Sequence, residues 1–501
     1  MLLWIECPKT GLYRHLEALF IPPFYLKEQN MLRRAFLTNS SGILFSRIAG
    51  FLRDVMMAST LGASIYSDIF FVAFKIPNLF RRLFGEGAFN QAFLPSFIAA
   101  RYKGAFSLQV GAIFLGILTL LSLLVTLFAP HVTKLLAFGF SDELIALAAP
   151  LVAINFWYLW LVFVVTFLGA ILQYKRRFGA FAYSSILLNL SMIATLYFAK
   201  DRESYEIVVW LSWGVLAGGV LQIALHLPSF FRAGFGKMFR AGWKHYRTHA
   251  AQRRESVARF FRQFLPAMLG SSSAQIASFI DTLLASFLSS GAISYLYYAN
   301  RIFQLPLAIF AIAVSTALFP TIVRAIKQQK SDEALRYLKR AFWFLLYTLT
   351  FAAIGGILLR NEIIWLLFER GEFERSDTLE SAQVLAMYLI GLLPFGLAKI
   401  FSLWLYSHAK QGLAAKISAK SLLFSTILAL GLMQFLGASG LALASSLGGF
   451  LLFFWTIRAF GVREFWDIIR NKKGFMWLCA GIALEVALIL CAREYLNWSI
   501  N

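Results

Sequence analysis

Charged side chains stand in some of the most apolar neighbourhoods of this 501-residue chain. Arg47, Arg53 and Asp54 fall in one apolar stretch, and Asp68 and Lys75 in the next, with Arg81 and Arg82 at its end. Asp281 and Arg301 occupy two later stretches. A charged group at the centre of a bilayer costs about 2.5–3.5 kcal/mol by insertion scales, so these groups must face a polar cavity or one another. Helical spacing puts Arg47 and Asp54 on one stripe, and Asp68, Lys75 and Arg82 on another. The cations outnumber the acids, so pairing cannot cancel them all. What remains is the chemistry of anion binding, because guanidinium groups grip phosphate oxygens bidentately and stay charged when desolvated. Arg–Asp pairs that only lock helices, such as Arg53 or Arg47 with Asp54, would account for part of the set.

The elements that must position these residues are membrane spans. Hydrophobic residues make up 59% of the chain and charged ones only 14%, about half the usual share of charge. Apolar stretches of bilayer-crossing length predict thirteen helices: 37–60, 64–84, 107–129, 146–172, 181–199, 205–229, 263–289, 295–322, 341–359, 382–407, 413–435, 438–460 and 475–493. The chain carries 47 Lys+Arg against 25 Asp+Glu, a net charge of +22. Placing the N-terminus in the cytoplasm puts 35 of those basic residues in inside segments and only 7 in outside ones. Such a split is the positive-inside pattern, so the excess of positive charge needs no nucleic-acid partner. It also places the C-terminus in the periplasm. Three cysteines, Cys7, Cys479 and Cys491, are too few for a disulfide framework. The first thirty residues resemble neither a span nor a signal peptide, and Met31 before Leu32-Arg33-Arg34 is read as the start of translation, with a cytoplasmic tail as the alternative.

Weak internal matches recur at a nearly constant offset. Arg47-Ile-Ala-Gly-Phe51 answers Gln275-Ile-Ala-Ser-Phe279, Phe74-Lys-Ile-Pro77 answers Phe303-Gln-Leu-Pro306, and Ala92-Phe-Leu-Pro95 answers Ala317-Leu-Phe-Pro320. Six spans per repeat is an even number, so both lobes enter from the same side and share an axis along the bilayer normal, a transporter architecture. The chain therefore divides into an N-terminal cytoplasmic segment (1–36), a first lobe (37–229), a basic connector (230–262), a second lobe (263–460), and a linker with one extra span (461–501). In the second lobe Gln275 and Gln304 stand where the first has Arg47 and Lys75, so the cationic wall of a central cavity belongs mainly to the first lobe. Nine Lys/Arg in the connector suit anionic lipid headgroups, although a solvated loop obeying the charge rule would look the same. His245 and His249 lack a third ligand for a metal. Pro77, Pro95, Pro306 and Pro320 predict kinks or hinges, while Gly214, Gly218 and the small residues of 437–449 predict close helix packing. Neither a phosphate-binding loop nor a nucleophile-elbow or zinc-protease motif is present, which points away from an ATP motor or a hydrolase.

Three blocks carry a family resemblance: Asn39-Ser-Ser-Gly-Ile-Leu-Phe-Ser-Arg-Ile-Ala-Gly-Phe-Leu-Arg-Asp54, Asp68-Ile-Phe-Phe-Val-Ala-Phe-Lys-Ile-Pro-Asn-Leu-Phe-Arg-Arg82, and Glu86-Gly-Ala-Phe-Asn-Gln-Ala-Phe-Leu-Pro95. With Tyr297-Tyr-Ala-Asn-Arg301, they closely resemble the MurJ/MviN family of bacterial lipid II flippases, within the multidrug/oligosaccharidyl-lipid/polysaccharide exporter superfamily. The resemblance runs from Met31 to about residue 460. It implies an all-α polytopic protein of the bacterial inner membrane, with two parallel-repeat six-helix lobes around a central cavity. It also implies that the cargo is an undecaprenyl-diphosphate-linked peptidoglycan precursor, carried from the cytoplasmic to the periplasmic leaflet by alternating access.

By the same resemblance, Arg47, Arg53, Arg81 and Arg301 hold the diphosphate; Arg81 rather than Arg82 follows the family motif. Asp54, Asp68, Lys75 and Glu86 are implied in gating or charge pairing. Asp281 matches a position proposed as an ion ligand, so monovalent-ion coupling is implied, but span eleven offers it no acidic partner. No other cofactor is expected. Membrane lipids and cell-wall synthesis proteins are the further partners implied. Asn300 and Gln304 replace acids common in relatives, Lys410–Lys416 lacks the usual Thr-Pro, and one final span stands where described members have two. Other readings of the same sequence are a different lipid-linked oligosaccharide flippase, a drug exporter of the superfamily, or a non-transporting scaffold for cell-wall enzymes.

Overall fold

The computed structural model describes residues 23–85, 88–244, 246–248, 250–271 and 273–495. The first lobe is built from α1 (Pro23–Leu61), α2 (Ile65–Gly85), α3 (Ala88–Ala99), α4 (Lys103–Leu127), α5 (Ala129–Leu136), α6 (Asp142–Phe156), α7 (Tyr158–Tyr174), α8 (Gly179–Ala199) and α9 (Ser204–Arg232). Two helices follow in the connecting region, α10 (Phe235–Lys244) and α11 (Ala250–Ser271). The second lobe continues through α12 (Ser273–Ala285), α13 (Ala292–Pro306), a π-helical turn Leu307–Ile312, α14 (Ala313–Lys327), α15 (Ser331–Leu358), α16 (Arg360–Phe368), α17 (Arg375–Ile390), α18 (Leu392–Ser407) and α19 (Gln411–Phe460). A short α20 (Val462–Ile469) leads to the terminal α21 (Lys472–Tyr495). The described residues contain no strand.

Nine helical stretches among the described residues are long and apolar enough to cross a membrane. The difference from thirteen has physical causes. Spans one and two carry intramembrane charges that lower their hydropathy, and span seven passes through residue 272, outside the described residues. Spans eleven and twelve run together as α19, whose 50 residues would stretch about 75 Å if straight. They do not run straight. Gly437 adopts φ +54° and ψ −133°, and a Cβ on Gly440 would lie 2.3 Å from the Leu432 carbonyl oxygen. Ser421 Oγ meanwhile donates to the Gly448 carbonyl at 2.6 Å, so the helix folds back on itself as a hairpin. Only glycine tolerates that backbone turn readily. The close-packing reading of the small residues holds here, and also where Gly214 and Gly218 of α9 meet Thr195, Leu188 and Ser191 of α8.

Pro77, Pro95 and Pro320 sit inside continuous helices, whereas Pro306 marks the passage from α13 into the π-helical turn. The connector departs from the loop alternative because most of it is helical. Its second helix, α11, reaches the first lobe: Phe260 packs edge-on to Phe89 and Phe93 with centroids 5.7 and 6.2 Å away, within a cluster that includes Phe114 and Phe163. The expected span 263–289 takes in residue 272, which lies outside the described residues, with α11 and α12 on either side of it. At the other end, α21 packs along α15, with Tyr347 donating to the Gly474 carbonyl at 2.6 Å, and Arg493 Nε donates to Glu362 Oε1 of α16 at 2.8 Å.

Candidate functional site

The two lobes meet through α1 and α2 on one side and α12, α13, α16 and α17 on the other. Near the middle of this seam stands Asp54, completely buried on α1. Arg53 Nη2 lies 2.5 Å from its Oδ1, the Tyr297 hydroxyl donates to the same oxygen at 3.0 Å, and Arg301 Nε lies 2.8 Å from Oδ2. Arg53 also donates to the Tyr297 hydroxyl at 2.9 Å and to Asn189 Oδ1 of α8 at 3.1 Å. Tyr297 is held in turn by a ring stack on Phe71, with centroids 3.9 Å apart. One carboxylate therefore serves two guanidinium groups, one from each lobe, and the cluster keeps a net positive charge. Gly50 completes the fit, since a Cβ there would come within 2.8 Å of Arg301 Nη2.

The expected cavity arginines divide into two groups. Arg53 and Arg301 come together on Asp54. Arg47, two turns earlier on α1, is exposed and has no hydrogen bond or ion pair among the described residues. Arg81 lies apart, at the far end of α2, where its Nε and Nη2 reach Asn78 Oδ1 at 3.2 and 3.0 Å. The side chain of Arg82, together with Glu86, His245 and His249, lies outside the described residues. Lys75 crosses the seam and donates to Ser278 Oγ at 2.9 Å, one turn from Asp281 on α12, whose carboxylate feels the Lys75 charge. Asn300 and Gln304, the neutral replacements, hydrogen-bond each other on α13.

The other two acids that join the lobes bind backbone. Asp68 accepts the Gly291 and Ser294 amides at 2.8 Å each and the Ser294 hydroxyl at 2.6 Å, so an α2 side chain caps the start of α13. A carboxylate at a helix N-terminus meets unsatisfied amides and the positive end of the helix dipole. Asp377 of α17 does the reverse, accepting the Ala63 amide at 3.1 Å and the Tyr295 hydroxyl at 3.2 Å. Around them Ser67 and Ser294 hydroxyls meet at 2.8 Å, and the Glu372 amide donates to the Ser59 carbonyl at 2.9 Å. This end of the seam is closed. Sequence reasoning found Asp68 but missed Asp377, which stood among six acids of one outside loop with nothing to separate it. It also quoted Tyr297 only as part of a motif, because a tyrosine hydroxyl carries no charge to betray it.

A family model described as "Lipid II flippase MurJ" matches residues 57–500. A protein named probable lipid II flippase MurJ from Helicobacter pylori is 52% identical over 449 residues, covering 88% of this chain and 98% of that one. The similarly named protein of Haemophilus influenzae is 32% identical over 484 residues, covering 91% of this chain and 92% of that one. Among solved structures, a lipid II flippase MurJ in an inward-closed conformation has a TM-score of 0.74 at 24% identity, covering 93% of this chain and all of that one (100%). An inward-facing multidrug resistance MATE family transporter has a TM-score of 0.61 at 16% identity, covering 88% of this chain and 96% of that one. These two structural likenesses bear on the fold alone.

Proposed function

The chain belongs to the lipid II flippase MurJ family, and from that premise we propose that it carries lipid II from the cytoplasmic to the periplasmic leaflet of a bacterial inner membrane. It is a transporter and not an enzyme. The N-terminus is cytoplasmic and the C-terminus periplasmic, which makes the closed end of the seam the periplasmic one and the exposed Arg47 a group facing the cytoplasmic half.

The carrying observation is the Asp54 cluster. Its single carboxylate is shared by Arg53 and Arg301 from opposite lobes, at 2.5 and 2.8 Å. A diphosphate entering from the cytoplasmic side meets Arg47 and Arg81 first and then competes with Asp54 for the two shared guanidinium groups. Surrendering Arg301 to the phosphate breaks its tie to Asp54 across the seam, and drawing Arg53 away breaks its bond to the Tyr297 hydroxyl, so binding itself loosens the seam. The lobes then rock about it and the periplasmic contacts part to release the headgroup. Charge reversal of Arg47, Arg53 or Arg301 to Glu should abolish rescue of a flippase-depleted cell while the protein still inserts. Growth of all three mutants at the wild-type rate would remove the diphosphate role. An in-cell assay of lipid II exposure after acute inactivation tests the cargo directly, and loss of exposure is the expected result.

A further inference from the structure

The connector between the lobes carries chemistry that the transport cycle does not use. Residues 230–254 hold seven Lys/Arg and no Asp or Glu. Where they sit is set by one glycine turn and one glycine contact. Gly234, with φ +80°, turns the chain directly from the end of α9 into α10. Gly104 and Gly242 then press the backbones of α4 and α10 together, since a Cβ on Gly104 would lie 2.2 Å from the Met238 carbonyl oxygen. Thus α10 is docked where α9 ends and α4 begins, at the level of the span ends. A helix there lies at the membrane–water boundary, whichever way the protein faces.

Its faces match that position. Phe235 and Gly242 are buried against the lobe, while Lys237, Arg240 and Lys244 are exposed on the opposite side, at spacings of three and four. Trp243, 73% exposed, stands at the border between the two faces. It is not isolated: Trp243 stacks on Tyr246 with centroids 6.4 Å apart, and Arg253 covers the Tyr246 ring at 3.8 Å. Arg253 is only 9% exposed; its Nε donates to Gln109 Oε1 of α4 at 2.5 Å, and its buried Nη1 meets no acceptor among the described residues. A docked helix with a cationic outer stripe, a boundary tryptophan and an unspent guanidinium donor behind it has the makings of an interfacial anchor.

We propose that α10 and the start of α11 form a binding surface for anionic phospholipid headgroups of the adjacent leaflet, with Lys237, Arg240 and Lys244 as the phosphate contacts and Trp243 set among the acyl carbonyls. The charge complementarity is one-sided, because no acid competes within the segment. Each basic residue at a charged surface is expected to contribute about a fivefold preference for anionic over zwitterionic lipid.

The test uses the purified full-length protein, stripped of lipid and titrated with phosphatidylglycerol or phosphatidylcholine, with retained lipids counted by native mass spectrometry. The wild type should retain phosphatidylglycerol in preference, and K237Q/R240Q/K244Q should lose most of that preference while keeping its melting temperature. W243A, which keeps every charge, should weaken retention of both lipids. Equal retention of the two lipids by the wild type, or an undiminished preference in the triple variant, would overturn the assignment. Neither result bears on the cargo, because lipid II is absent from the experiment.

Discussion

Tyr297 is the residue whose chemistry is plainest at the seam, because its hydroxyl both accepts from Arg53 and donates to Asp54. Removing that hydroxyl leaves a buried carboxylate oxygen short of a donor and a guanidinium short of an acceptor, a change worth about 1–3 kcal/mol. Tyr297→Phe keeps the ring and its stack on Phe71, so the loss falls on the polar cluster alone. The expected outcome is slower lipid II exposure with normal insertion, and a melting temperature lowered by a few degrees. An unchanged transport rate would mean that the hydroxyl only fills space. The sequence carried part of this cluster openly. Either Arg53 or Arg47 was expected to pair with Asp54, and Arg53 is the one that does. Arg301 could not be assigned the same way, since its distance from Asp54 depends on how two lobes meet.

At the scale of elements, the closed end of the seam is held by a reciprocal exchange. Asp68 from the first lobe caps the start of α13, and Asp377 from the second lobe accepts the amide of Ala63 just before α2. Ala63 and Gly291 are separated by 228 residues, as are the matched sequence positions Arg47 and Gln275. They also touch, with the Ala63 carbonyl oxygen 2.4 Å from where a Gly291 Cβ would be. Ser67 and Ser294 hydroxyls face each other across this seam at 2.8 Å. A cysteine pair there, S67C/S294C, should crosslink under oxidant and stop transport until reduced, read as lipid II exposure before and after reductant. Adding D377A should lower the crosslinked fraction, because one of the two carboxylate caps is gone. Efficient transport by the oxidised pair would show that this end need not open. The role of Asp68 was legible only as a charge that needed a partner. Its partners proved to be backbone amides, which no residue type announces.

For the whole molecule, the asymmetry between lobes matters more than the repeat. The first lobe brings Arg47, Arg53, Lys75 and Arg81, while the second answers with Arg301 and neutral side chains, including the Asn300–Gln304 pair. In the proposed mechanism a diphosphate moving outward moves with an inward-negative potential, worth about 2.3 kcal/mol per unit charge per 100 mV. Collapsing the potential in cells that depend on this protein should therefore slow the appearance of lipid II outside, several-fold or more, before peptidoglycan precursors run out. An unaffected rate would mean that the charge crossing the field is neutralised within the cavity.

Hydropathy and charge made the all-helical, membrane-spanning character of the chain, and the need of its intramembrane charges for partners, readable from the chain alone. Each of those is a local free energy, apolar surface or buried charge, summed over about twenty neighbouring residues. The hairpin at Gly437, the packing of α11 on the first lobe and the sharing of Asp54 between Arg53 and Arg301 were decided by the tertiary structure. Those depend on which surfaces come within a few ångströms of each other, and distance between segments far apart in sequence is not a property of either segment.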